Sequence, residues 1–144
     1  MKISECMTRD VKLASPDEKL REVAHVMADE DCGILPVGEQ DRLVGIITDR
    51  DIAIQGIGTG KGPDAKVRDV MSPEIKYCFE DDDAEDILRN MDELQVRRLP
   101  VVNRNKRLVG IISISDLAKS GETTEVGEAL AEITQPSKIH SQTV

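Results

Sequence analysis

The chain has 144 residues, enough for one domain or for two small repeats that share a core. Its composition, 39% hydrophobic and 33% charged, reads as soluble and globular, and no apolar run approaches the roughly 18 residues a membrane span needs. A formal net charge of −9 argues against a broad electrostatic grip on nucleic acid, and no apolar stretch follows Met1-Lys2-Ile3-Ser4-Glu5 to make a secretory leader, so a cytoplasmic chain is expected.

The sequence repeats itself. Setting residue n against n+64 pairs Cys6-Met7-Thr8 with Val70-Met71-Ser72, Val23 with Ile87, Met27 with Met91, and Leu35-Pro36-Val37 with Leu99-Pro100-Val101. After one extra residue the offset becomes 65, and Leu43-Val44-Gly45-Ile46-Ile47 meets Leu108-Val109-Gly110-Ile111-Ile112 identically. The expected organisation is repeat one with a glycine-rich linker over 1–62, repeat two over 63–120, and a tail over 121–144.

In chain order, Val11 to Ala14 is a short strand candidate. Ser15-Pro16-Asp17-Glu18 predicts a helix start, with Ser15 as N-cap, Pro16 in the first helical position and Glu18 three residues after the cap. That helix runs to about Glu30, with Leu20, Val23, Ala24, Val26 and Met27 making its apolar stripe. Gly33 to Val37 and Leu43 to Thr48 predict a hairpin, with Pro36 suggesting an edge position or a strand end. A second helix starts near Thr48-Asp49 and fades into Gly56-Ile57-Gly58-Thr59-Gly60-Lys61-Gly62, a linker rather than a phosphate loop because it follows a helix. Repeat two copies the order: a helical turn over Val67 to Met71, strand Ile75 to Phe79, helix Asp81 to Leu94, strands Arg98 to Val102 and Leu108 to Ser113, and helix Ser115 to Lys119. A short helical pattern lies around Val126 to Ile133 in a tail that is loose beyond it.

Chemistry concentrates at the strand-to-helix joints, Thr48-Asp49-Arg50-Asp51 and Ser113-Ile114-Ser115-Asp116. A hydroxyl beside unpaired backbone N–H groups suits a phosphate, and an aspartate one turn on can accept hydrogen bonds from a ribose diol. The competing reading is that Thr, Ser and Asp are ordinary helix caps. Charge is distributed unevenly: acids dominate Glu80 to Glu93, whereas Val96 to Ser115 holds Arg97, Arg98, Arg104, Lys106 and Arg107 with no acid. Those arginines suit a small anion, or else solvated ion pairs with the acidic helix. Cys6, Cys32 and Cys78 have no metal-binding spacing and read as reduced thiols, and neither His25 nor His140 has a motif around it, so no metal site and no catalytic residue is assigned.

Strand, helix, Leu-Pro-Val and then Leu-Val-Gly-Ile-Ile-(Thr/Ser)-x-x-Asp, twice, resembles a tandem pair of cystathionine β-synthase (CBS) domains, a Bateman module, over about Lys2 to Lys119. The resemblance implies an α+β (two-layer α/β) fold of two pseudo-twofold-related repeats, each β-α-β-β-α, and a homodimer of such modules. It implies clefts for adenosine nucleotides, with Asp51 and Asp116 on the ribose and Thr48 and Ser113 on phosphate. By the family pattern the Asp51 cleft takes Ser72, Val96 and Arg97 from the opposite repeat, and the Asp116 cleft takes Thr8, Cys32 and Gly33. With Arg50 in its motif and Arg97 and Arg98 nearby, the Asp51 cleft is expected to be the better site. Tyr77 and Phe79 are the only aromatics, so an adenine would lie between aliphatic side chains such as Ile46, Ile47 and Val96. The implied role is a regulatory ligand sensor that needs no cofactor, takes a small-molecule nucleotide and signals in trans to an unidentified protein partner, with no membrane and no nucleic acid. Alternatives are a ligand-free dimerising scaffold, or a protein related to inosine monophosphate dehydrogenase by its CBS pair only. Catalysis itself is not expected, because 144 residues cannot hold a barrel of about 250.

Overall fold

Positions that match between the sequence repeats fill matching places in two hydrophobic cores. One core contains Ile3, Cys78, Ile87, Met91, Leu99, Val101 and Ile112; the other contains Val67, Ala14, Val23, Met27, Leu35, Val37 and Ile47. The computed structural model describes residues 1–120 together with Gly127, Leu130, Ala131 and Ile133. It divides into two compact units, one of residues 1–9, 77–104 and 109–144, the other of 10–76 and 105–108. Each unit therefore takes its leading segment from the other sequence repeat. Ile3, fully buried, sits with repeat two, and Val67, fully buried, sits with repeat one. The short turns that carry them, Ile3–Glu5 and Val67–Asp69, bury one apolar side chain each and depend on a neighbouring core to do so.

In the unit of 10–76 and 105–108, α1 spans Leu20–Glu30, β1 Ile34–Glu39 and β2 Arg42–Thr48. α2, Asp49–Asp51, continues as a π-helical stretch over Ile52–Ile57. β1 and β2 are antiparallel, with Pro36 opposite Ile46. The proline is tolerated because no partner asks for its missing N–H. Ile46 turns its own N–H and carbonyl to Ser72 at 3.0 and 2.9 Å, and on the other side Pro36 contributes only its carbonyl, to the Ala14 N–H.

Two sequence expectations are corrected here. The helix predicted from Ser15 begins at Leu20, because the backbone just before it is taken up elsewhere: Leu20 N–H donates to Ala65 O, while Val67 and Arg68 N–H donate to Glu18 and Pro16 carbonyls, each at 2.9 Å. Ser15 and Glu18 still meet, through a 2.7 Å bond from Ser15 N–H to the Glu18 carboxylate, but they close an isolated turn. The strand expected over Val11 to Ala14 contracts to one bridge between Ala14 and Val37.

In the unit of 1–9, 77–104 and 109–144, β3 is Cys78–Phe79, α3 Ala84–Leu94, β4 Arg98–Val102, β5 Leu108–Ser113 and α4 Ile114–Ser120. The sheet order is β3-β4-β5, with β3 parallel to β4. The predicted strand from Ile75 shortens to two residues. Beyond α4, Gly127, Leu130, Ala131 and Ile133 are helical, and Ile133, 8% exposed, packs into the core with Leu117. The rest of the tail lies outside the described residues. The fold is α+β, as expected. α1 and α3 end alike, on Asp31 and Gln95 in the left-handed region (φ 51° and 55°).

Candidate functional site

Both joints are reciprocal helix caps. Thr48 Oγ1 accepts the Asp51 N–H and Asp51 Oδ2 accepts the Thr48 N–H, both at 3.0 Å. At the second joint the Asp116 N–H reaches Ser113 Oγ at 3.1 Å, and the Ser113 N–H reaches Asp116 Oδ2 at 3.0 Å. The cap uses one carboxylate oxygen of each aspartate and one lone pair of each hydroxyl. Oδ1 and the hydroxyl proton lie outside it, so capping and ligand binding are compatible at the same residues.

The glycine inside each phrase has a steric cause. A Cβ on Gly45 would lie 2.7 Å from Met71 Sδ and 3.0 Å from Ser72 O; on Gly110, 2.7 Å from Met7 Sδ and 2.8 Å from Thr8 O. The chain passes that closely because Ser72 bridges Ile46 and Thr8 bridges Ile111. Thus Ser72 joins the unit of Thr48 and Asp51, and Thr8 the unit of Ser113 and Asp116.

Arg97 and Arg98 lie in the unit of Ser113 and Asp116. They line a cavity of about 720 Å³ together with Ser113, Ile114, Ser115, Gly127, Leu130 and Ala131. Hairpin geometry puts them there: Arg97 lies just before β4 and Ile114 just after β5, and the Ile114 N–H donates to Arg97 O at 2.9 Å. The equivalent bond in the other unit runs from Asp49 N–H to Gly33 O at 2.9 Å, which puts Gly33 beside the Asp51 joint. Cys32 and Arg50 belong to that unit and Val96 to the unit of the arginines.

Several other arginines of this chain are paired. Arg104 holds Asp81 at 2.8 Å and lies 4.2 Å from the centre of the Phe79 ring; Arg68 holds Asp17 at 2.7 Å; Arg89 pairs with Asp86 and Arg107 with Asp41. Their hydrogen bonds hold the carboxyls of Asp81 and Asp17 below the usual range. Arg97 and Arg98 are exposed, and neither side chain makes an ion pair or hydrogen bond with the described residues. The bland expectation, ion pairs with the acidic helix, holds for Arg104 and Asp81 but not for these two. Burial pushes the Cys78 thiol up to about 12. Burial also raises the Cys6 thiol, opposed by a hydrogen bond with Ser120 and aided by the Asp116 and Glu5 charges.

Ser115 escaped the sequence reading although the repeat pointed to it, because it occupies the place of Arg50 in the second joint. Gly127, Leu130 and Ala131 carried no chemical signal at all. No helix among the described residues is long and apolar enough to cross a membrane.

Two α+β units with matching cores and matching capped joints define the class: a tandem-repeat protein built to present two equivalent strand-to-helix joints. Comparison with known proteins gives the family. Residues 3–55 and 67–123 each match the CBS domain, and the chain belongs to that family. The CBS domain-containing protein YhcV of Bacillus subtilis (strain 168) is 37% identical over 139 residues, covering 96% of this chain and 98% of YhcV. The crystal structure of Hypoxic Response Protein I with two coordinated zinc ions superposes with a TM-score of 0.74 at 35% identity, over 83% of this chain and 98% of that one. Among the described residues here, no three His, Cys, Asp or Glu side chains gather to hold a metal. CBSX2, solved in complex with AMP, shares the fold with a TM-score of 0.72 at 23% identity, over 83% and 94% of the two chains. The two matches together take in most of the chain.

Proposed function

We propose that this chain is a regulatory ligand sensor that binds an adenosine nucleotide and passes the bound state to a protein partner. The observation that carries the reading is the cavity lined by Arg97 and Arg98, which no carboxylate among the described residues pairs, together with Ser113 and Ser115. Two fixed positive charges in a chain of net charge −9 favour an anion, and guanidinium with hydroxyl donors is the donor set a phosphate takes. A volume of about 720 Å³ is in the ordinary range for a small-molecule pocket, with room for a sugar and a base besides the phosphate. The Oδ1 oxygens of Asp116 and Asp51, which the caps leave, are the acceptors for ribose hydroxyls. Thr8 and Ser72 supply further hydroxyls to the two joints, and Thr48 and Arg50 complete the set at Asp51.

Because both arginines line the cavity at Ser113, the stronger site is assigned to the Asp116 unit, reversing the order expected from the resemblance. The AMP held by CBSX2 supports the ligand class. The partner is expected to read the difference between free and bound forms, since a ligand shifts a population only by binding one form better. A homodimer belongs to the same reading. Ile54 and Ile57, 43% and 59% exposed on one helical stretch, are apolar surface that a second copy would cover.

Calorimetric titration of the wild type with AMP, ADP, ATP, NAD and S-adenosylmethionine tests the sensor. One of them is expected to bind, and Arg98→Ala to weaken it at least about tenfold, the loss of a charge-assisted hydrogen bond. No binding by any of the five leaves the ligand-free scaffold as the better account.

A further inference from the structure

Resting on the nucleotide reading of the Arg97 cavity, we infer that Gly127, Leu130 and Ala131 form the wall of that cavity that receives the apolar part of the ligand, and so set which base fits. The cavity is chemically divided. Arg97, Arg98, Ser113 and Ser115 are the polar lining, and Ile114, Leu130 and Ala131, with the bare backbone of Gly127, are the apolar lining. A ligand that is anionic at one end and apolar at the other matches that division, whereas inorganic phosphate would use only half of it. Tyr77 and Phe79 meet each other edge to face, with ring centres 5.7 Å apart, and do not line the cavity. The flat part of a ligand therefore meets aliphatic carbon, and most of that carbon belongs to the tail.

The wall is fixed at one point. Ile133, two residues past Ala131, is 8% exposed and belongs to the same core as Leu117 of α4. Its burial ties the segment to the unit that carries Arg97 and Ser113. Leu130 remains 42% exposed, on the cavity side of that anchor. Gly127 gives the cleanest access to the question. A Cβ built on it meets nothing within 4 Å, so a side chain there enters open space without displacing the protein. In a helical position a larger residue also raises helix propensity, so the fold loses nothing by the change.

The test is titration of AMP into the wild type, Arg98→Ala, Gly127→Ala and Gly127→Leu, with the thermal unfolding temperature of each unliganded protein measured alongside. Gly127→Leu is expected to unfold at or above the wild-type temperature and to bind AMP at least about tenfold more weakly, the equivalent of a clash of about 1.4 kcal/mol. Gly127→Ala is expected to bind within about threefold of wild type. Hydrogen exchange supplies a second readout: AMP is expected to slow exchange across residues 127–133. If AMP binds the wild type and Arg98→Ala weakens it, but Gly127→Leu binds normally and exchange over 127–133 is unchanged, the tail is not the wall and the nucleotide reading stands. Where ADP, ATP, NAD or S-adenosylmethionine binds in place of AMP, the same variants are titrated with it; if none of the five binds the wild type, or the one that binds is indifferent to Arg98→Ala, the nucleotide reading of this cavity fails and the inference falls with it.

Discussion

Gly110→Ala isolates the contact that holds each joint in shape. The added methyl would lie 2.7 Å from Met7 Sδ, 2.8 Å from Thr8 O and 3.1 Å from Met7 Cγ. The sulfur is on a flexible side chain and can swing away. The Thr8 carbonyl cannot, because it accepts the Ile111 N–H at 2.9 Å while the Thr8 N–H donates to Ile111 O at 2.9 Å. Relief requires stretching that bridge. Overpacking of this kind costs about 1–3 kcal/mol, against about 0.4–1 kcal/mol gained by stiffening the unfolded chain. The net expectation is a loss of about 1–2 kcal/mol. Gly45→Ala meets its backbone oxygen at 3.0 Å rather than 2.8 Å and should lose less. Urea unfolding measures both, with Gly127→Ala, whose methyl touches nothing, as the control that shows a Gly→Ala change free of any clash and is expected to hold or raise stability. A double-mutant cycle with Met7→Ala separates the two contacts, and most of the loss should survive removal of the sulfur. Wild-type stability in Gly110→Ala, or full recovery on removing Met7, would refute the account.

Thr48→Ala and Ser113→Ala each remove the hydroxyl half of a cap and should cost about 1 kcal/mol in urea unfolding; an unchanged midpoint would mean that the caps are incidental. Asp31→Gly relieves a left-handed residue at the end of α1 and should stabilise by about 0.5–1 kcal/mol in the same assay. Cys78, 2% exposed, keeps its proton in the folded chain up to about pH 12, while the unfolded thiol ionises from about pH 9. The unfolded state thus binds fewer protons in that window and stability falls as pH rises, by up to about 1.4 kcal/mol per pH unit. Melts of wild type and Cys78→Ala between pH 8 and 11 should converge toward high pH, and parallel curves would sink the assignment.

The repeat was legible because it is written in core residues: Val23 and Ile87, Met27 and Met91, Leu35 and Leu99 occupy matching places in the two cores. β4 and β5 were readable to the residue, since each is a short apolar run with a break on either side. The start of α1 was not. The Ser15 N–H reaches the Glu18 carboxylate, yet the helix waits until Leu20 because residues 63–68 take the intervening backbone, a long-range pairing that no local pattern encodes. The exchange of leading segments was hidden for the same reason. Ile3 and Val67 each look like the start of their own repeat, and only packing reveals which core they complete. At the site, the residue types were legible, and the neighbour relation of Arg97 to the second joint was not drawn from them. Arg97 is next to Ile114 through the pairing of β4 with β5, a neighbour relation that the hairpin itself predicts once it is applied.

The double duty of the joint aspartates decides which substitutions can separate structure from function. Asp116 contributes Oδ2 to the cap of Ser113, so Asp116→Ala removes a capping partner and a candidate ribose acceptor in one step. A fall in affinity in that variant could come from either loss. Arg97 and Arg98 carry no such ambiguity: both are exposed, and among the described residues no carboxylate engages either, whereas Arg104, Arg68 and Arg89 are engaged. Surface changes away from packed or paired features stay within about 0.5 kcal/mol. Truncating Arg98 should therefore leave unfolding unchanged while weakening any phosphate-bearing ligand. Two guanidiniums that no carboxylate among the described residues pairs, on a cavity shared with two serines, are the feature that a purely structural role for this cavity does not explain.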